Sequence, residues 1–339
     1  MRFTQRGVML TAVAIAGLAL AAPATAVAAP ASSAQGTARA AKACNTVTAT
    51  IPVGIGPGGV AADSKTNTIY VVHGSGTVSV ISGRTNTVTA TIPLSSFIPS
   101  GIAVDTKTNT IYVTNQEDTT VSVISGRTNT ETATIPVGTP SVGVAADPKT
   151  NTIYVANTFA NMVSVISGRT NTVTATIPVG AFPVGVAANA KTHTIYVTNN
   201  EDNTVSVISG QTNTVTATIA VGAGPRAVAA DTKTHTIYVT NDVDNTVSVI
   251  SGRTNTVTAT IPVGRIPQGV AADTKTNTIY VTNALGNTVS VISGRTNTVT
   301  ATIPVGRIPE GVAADTKAKA IYVANGGSGT VSVLAACRK

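Results

Sequence analysis

The sequence predicts an all-β fold, a seven-bladed β-propeller of four-stranded antiparallel blades. Three observations carry that reading. The stretch Gly-Val-Ala-Ala-Asp recurs, slightly varied, every 42 residues, at Gly59, Gly101, Gly143, Gly185, Ala227, Gly269 and Gly311, without an insertion. A fixed period near 40 residues marks an array built from one small sheet per repeat. Each repeat holds one tyrosine (Tyr70, Tyr112, Tyr154, Tyr196, Tyr238, Tyr280 and Tyr322) and four runs of β-favouring residues separated by turn chemistry. Nothing between residues 44 and 337 has helical periodicity.

In chain order, residues 1–29 read as a secretory signal peptide. Arg2 and Arg6 form a basic start, Val8 to Ala22 an apolar run, and Ala26-Val27-Ala28 a small-residue cleavage site. The run is too short and alanine-rich for a membrane span, and no other segment is long enough for one. Residues 30–43, rich in Ala, Ser and Gly, read as a disordered leader. Residues 44–339 form the propeller, expected to be secreted and extracellular.

Within the second full repeat the four runs are Gly101 to Val104, Thr110 to Val113, Thr120 to Ile124 and Thr130 to Pro136. Seven sheets around an axis crowd their innermost strands, so the small, Ala-rich first run belongs inside. The fourth run alternates Thr with Val, Ala and Ile and ends near a proline, as at Pro93, Pro136, Pro178, Pro262 and Pro304. Proline lacks a ladder donor, which places that run on the outer edge. With no tryptophan in 339 residues, the core must be Val, Ile, Ala and the tyrosines.

Two cysteines bracket the array. Thr330 to Leu334 aligns on Thr77 to Ile81, which puts Cys337 at the place of Arg84; Asn45 to Val47 aligns on Asn86 to Val88, which puts Cys44 at the place of Thr85. Arg84 and Thr85 are neighbours in one turn. The chain is thus a ring opened at a turn with a thiol on each side. Val47 to Pro52 is expected to complete the last blade, and a Cys44–Cys337 disulfide to replace the missing peptide link in an oxidising compartment.

Ile-Tyr-Val-Thr-Asn (Ile111 to Asn115), Thr-Val-Ser-Val-Ile (Thr120 to Ile124) and Thr-Val-Thr-Ala-Thr-Ile-Pro-Val-Gly (Thr172 to Gly180) resemble the repeat of the YVTN family of β-propellers, of the secreted, actinobacterial type. The likeness covers residues 44–337. It implies the propeller fold and a surface, periplasmic or secreted protein of unassigned role.

Antiparallel strands in this order send the turns after the first and third strands to one face and those after the second and fourth to the other. The first, constant face repeats Lys65, Lys107, Lys149, Lys191, Lys233, Lys275 and Lys317, and Arg84, Arg127, Arg169, Arg253 and Arg295, with Gln211 in the fourth unit. Asp63, Asp105, Asp147, Asp231, Asp273 and Asp315 are expected to offset these cations in part. The second face varies from unit to unit and is net acidic, so the overall charge of +8 is unevenly distributed.

Function sits on varied loops held by a rigid frame. The ligand-binding candidates therefore lie on the variable face: Phe97, Phe159, Phe182, His73, Arg265 and Arg307, and the polar arc Arg226, Gln268 and Glu310. That arc belongs to a series entering the axial mouth, which begins Gly58, Ser100, Val142 and Val184. A mouth with one polar arc can orient a ligand.

Catalytic motifs are absent: no serine has a nucleophile elbow. His193 and His235 replace a turn asparagine and are expected to be exposed. Asp242-Val243-Asp244-Asn245 lacks the spaced acceptors of a calcium loop. The expectation is a monomeric, non-catalytic binding scaffold without metal or cofactor, whose partner is an extracellular protein or a cell-wall glycan rather than nucleic acid. The alternatives are an extracellular lyase or hydrolase acting at the axial mouth through Glu310, Arg226 and His73, and polyanion binding on the Lys/Arg face.

Overall fold

A computed structural model describes residues 44–336. The expected signal peptide and leader, and Cys337 with the bond it is expected to make to Cys44, lie outside the described residues. Twenty-eight strands, β1 to β28 in chain order, form seven four-stranded antiparallel sheets. The first blade runs outward from the axis as β2 (Pro57–Asp63), β3 (Thr68–His73), β4 (Thr77–Ser82) and β5 (Thr87–Pro93). Blades 2 to 6 repeat it. One 3-10 turn, Thr158–Ala160, departs from the expected absence of helix.

Blade 7 takes three strands from the C-terminal end, β26 (Pro309–Asp315), β27 (Ala320–Asn325) and β28 (Thr330–Ala335), and its outer strand from β1 (Val47–Pro52). Ile51 faces Val331 and Pro52 faces Thr330. Beyond the ladder, Asn45 N donates to Ala335 O at 3.0 Å and Ala335 N to Thr46 O at 3.1 Å. The first described residues are therefore zipped against the last, and the ring has no open seam.

The core lies between blades. Tyr112, Val121, Val123 and Ile135 of blade 2 pack on Val144, Ile153, Val155 and Ile166 of blade 3, and the pattern recurs around the ring. All seven tyrosines are 0–1 % exposed. Burial, and behind it the aspartate of the same blade, pushes the hydroxyls of Tyr70, Tyr112, Tyr154, Tyr238 and Tyr322 up to about 12. Blade 4 has Asn189 in place of that aspartate, and Tyr196 is raised by burial alone.

The Tyr-Val-Thr-Asn motif acquires a physical meaning here. Asn115 Nδ2 donates to Thr120 Oγ1 and Ser122 Oγ, tying the second strand to the third. Thr114 Oγ1 accepts from Gly101 N at 2.8 Å and donates to Val142 O of the next blade at 2.7 Å. Thr198, Thr240 and Thr282 make the same pair of bonds, to the carbonyls of Arg226, Gln268 and Glu310. A Cβ on Gly101 would strike the Val142 carbonyl, which is why glycine recurs there. Blade 5 has Ala227 instead, and its inter-blade bond is the longest of the four, at 3.0 Å against 2.6–2.8 Å. Val72, Ala156 and Ala324 leave the other three boundaries without this bond.

On the constant face the last residue of the turn after the first strand adopts the left-handed conformation, with φ of 53–60°, at Asn67, Asn109, Asn151 and Asn277 and equally at His193 and His235. Asparagine and histidine accept that region better than most side chains. His193 is not the exposed substitute expected from sequence: it is 17 % exposed, with Nδ1 3.0 Å from the buried carboxylate of Asp147 in the preceding blade. The aspartates are buried, and Asp63 Oδ1 accepts from Lys65 N at 2.8 Å rather than meeting the ammonium group. Carboxylates spent on turn backbone leave the lysines above them unpaired: the ion pairs among the described residues are His193–Asp147 and Arg226–Asp242.

Candidate functional site

Each innermost strand carries a bulge at its entry. In blade 1, Pro57 pairs with His73 and Val60 with Val71, so Gly58 and Gly59 together oppose Val72. The same slip occurs in all seven blades. A bulge re-aims the side chains it holds. Here it brings Gly58, Ser100, Val142, Val184, Arg226, Gln268 and Glu310 together around one axial cavity of about 440 Å3. The seven positions singled out as a series in sequence thus share one wall.

Charge enters that cavity on one side. Arg226 is 47 % exposed and stands 3.7 Å from Asp242 of its own blade. Burial pushes the Asp242 carboxyl up, with Arg226 and the Val243 backbone pulling it back. Glu310 reaches solvent through the mouth, yet surrounding protein desolvates its carboxyl and raises it, Arg226 again opposing. The carboxylate lies over two blade ends without side chains: a Cβ on Gly58 would come within 3.3 Å of Oε2, and one on Gly326 within 2.7 Å of Oε1. No hydrogen-bond donor among the described residues reaches it. The mouth therefore offers a cation, an amide at Gln268 and a carboxylate free of protein donors along one arc, against Ser100, Val142 and Val184 opposite.

The other sequence candidates do not line this cavity. His73 is 2 % exposed, its Nε2 2.8 Å from Ser79 Oγ, where other blades place an asparagine on the equivalent serine. Burial lowers its pKa, the Ile55 backbone opposing. It is a buried strand-linking residue, which removes it from the ligand-binding set. Arg265 and Arg307 are exposed on the loops outside the mouth. Phe159 stands edge-to-face with the half-buried Phe182, ring centres 5.5 Å apart, and Phe97 is 70 % exposed.

Two features of this face escaped sequence reasoning. Ile55, Val243 and Leu285 join Phe97 and Phe159 as large apolar side chains 53–88 % exposed, and all five stand on variable-face loops. The described exposed apolar residues away from this face are outer-strand valines at 36–37 %. A lone large apolar residue inside each polar loop was the signal available. The second feature is backbone strain. Ile98, Phe182, Ile266 and Ile308 hold φ of 49–55°, each directly before the residue that opens an innermost strand. β-Branched and aromatic residues resist that region, and such strain concentrates where a site is held open. Asparagines of the neighbouring blade hold it in place: Ile266 N donates to Asn245 Oδ1 at 2.7 Å and Ile308 N to Asn287 Oδ1 at 2.9 Å.

No helix among the described residues is long and apolar enough to cross a membrane. No protein-family model matches the chain, and no curated protein matches it either. Among solved structures it is similar to the hydrazine synthase of Kuenenia stuttgartiensis, with a TM-score of 0.75 at 20 % identity over 90 % of this chain and 100 % of the matched one. At that identity the likeness shows the fold alone: the chain is a seven-bladed β-propeller closed by its first strand.

Proposed function

We propose that this chain is a secreted, non-catalytic binding scaffold of the YVTN type whose variable face docks a partner protein. The observation that carries this reading is the asymmetry of exposed apolar surface. Ile55, Phe97, Phe159, Val243 and Leu285 stand on the loops surrounding the mouth, and no described residue of the opposite face exposes a comparable apolar side chain. Arg226, Gln268 and Glu310 would then orient the partner by receiving one of its polar groups at the axis, within an apolar surround.

Covalent closure completes the proposal. The bond from Asn45 N to Ala335 O aligns residue 44 with the end of β28, two residues before Cys337. A disulfide there would lock the outer strand of blade 7 and keep the docking face rigid outside the cell.

The test is a photo-reactive phenylalanine analogue placed at Phe97 or Phe159, with Thr85 of the constant face as the control position, in the producing cell. Protein adducts are expected from the first two sites and not from the third. Equal adducts from all three, or none from Phe97 and Phe159, would overturn the assignment of the docking face.

A further inference from the structure

The constant face carries a second kind of site. Between blades 1 and 2, a groove of about 180 Å3 is lined by Asn67, Tyr70 and Arg84 from one blade and Gly126 and Asn129 from the next. Between blades 3 and 4, a groove of about 210 Å3 repeats it residue for residue, with Asn151, Tyr154, Arg169, Gly210 and Asn213. Each holds the volume of roughly six or seven waters, about the bulk of one sugar ring.

The charged residue lining each groove is an arginine, set among asparagine amides and hydroxyls. Asn67, Asn129, Asn151 and Asn213 line the grooves and bury their side-chain oxygens without a hydrogen-bond partner. Arg84 and Arg169 are exposed, and neither guanidinium makes an ion pair or hydrogen bond among the described residues. No carboxylate lines either groove. Asp63 and Asp147, behind the groove tyrosines, are buried, with Oδ1 on the turn backbone and, for Asp147, Oδ2 on His193.

We propose that these inter-blade grooves are subsites for an acidic glycan, each taking one uronate-type sugar. Its carboxylate would sit on the arginine, which suits a bidentate, charge-assisted contact. Its hydroxyls would meet the asparagine amides, the tyrosine hydroxyl and the flanking threonines. A polymer fits better than a free monosaccharide, because equivalent arginines recur at one-blade spacing (Arg84, Arg127, Arg169, Arg253 and Arg295), and weak sites so arrayed multiply through avidity. Nucleic acid fits worse: base stacking needs an open aromatic face, and the tyrosine rings are buried. This site is on the face opposite the proposed docking surface, so either can fail without the other.

The experiment measures binding of the full chain to polygalacturonate, to its methyl ester, which keeps the hydroxyls but not the charge, and to single-stranded DNA, all at one salt concentration. The variant replaces Arg84, Arg127, Arg169, Arg253 and Arg295 by glutamine, the residue that blade 4 already carries as Gln211. Polygalacturonate should bind, the ester at least about tenfold more weakly, and the variant should lose the acid polymer by a similar factor. Unchanged binding by the variant, equal binding of the ester, or equal binding of DNA would each overturn the proposal. Because a five-site variant can misfold, phenylglyoxal modification of the native chain gives a second measurement. Polygalacturonate should slow modification of Arg84 and Arg169 but not of Arg265; uniform rates would count against the grooves.

Discussion

Thr282 supports the polar arc from below, and replacing it with valine tests whether inter-blade threonines hold the ring together. Its side chain is buried; its Oγ1 accepts from Gly269 N at 2.8 Å and donates to Glu310 O at 2.6 Å. Valine keeps the shape and removes both bonds. Each such bond contributes about 0.5–1.5 kcal/mol net, and the residues left with an unbonded backbone group are a half-buried Gly269 and an exposed Glu310. Valine's extra methyl returns up to about 0.8 kcal/mol. A net loss of about 1–2 kcal/mol is expected, read as a lower urea midpoint at unchanged slope. The reverse substitution sharpens the test. Val72 occupies the same position in blade 1, and the Ser100 carbonyl lies 2.7 Å from where a Gly59 Cβ would be, a somewhat looser approach than at the bonded boundaries but still within a side chain's reach. Val72→Thr should therefore form the missing pair and stabilise by about 0.5–1.5 kcal/mol. If Thr282→Val is as stable as the parent, or Val72→Thr leaves a buried hydroxyl and destabilises, the inter-blade threonine is not a structural bond of consequence.

Alkali should unfold the protein through its tyrosines. A hydroxyl whose native value stands near 12 rather than 10.0 holds its proton more tightly folded than unfolded. The stability it contributes is full below pH 10 and falls as pH rises from 10 toward 12. Absorbance titration should show little phenolate at pH 11, then release together with loss of the β-sheet circular dichroism; half the tyrosines ionising near pH 10 with the fold intact would contradict this. The proposed clasp makes reduction informative: dithiothreitol and Cys44→Ser should lower the melting temperature alike, by no more than a chain-entropy term on the order of 5 kcal/mol implies. Melting that is indifferent to both would remove the clasp.

The fold was legible because the repeat is nearly exact. A 42-residue period, one tyrosine per unit and a proline ending the fourth run decide blade number, strand order and which strand is outermost. Ring closure was legible for the same reason, since Val47 to Pro52 is the missing quarter of an interrupted unit. The series from Gly58 to Glu310 could be read as a candidate mouth because strand parity alone sends those residues to one end.

What the sequence by itself determined was therefore everything that depends on period and parity: the seven blades, the two loop faces and the positions converging at the axis. The tertiary structure decided which of those residues is available. His73 and the row of aspartates read as candidate or surface charge, yet packing buries them, with His73 Nε2 tied to the next strand and one oxygen of each aspartate to its turn. The inter-blade grooves exist only once adjacent blades meet. Exposure, desolvation and shared walls belong to pairs of repeats, and a pattern read along one chain carries no distance between them.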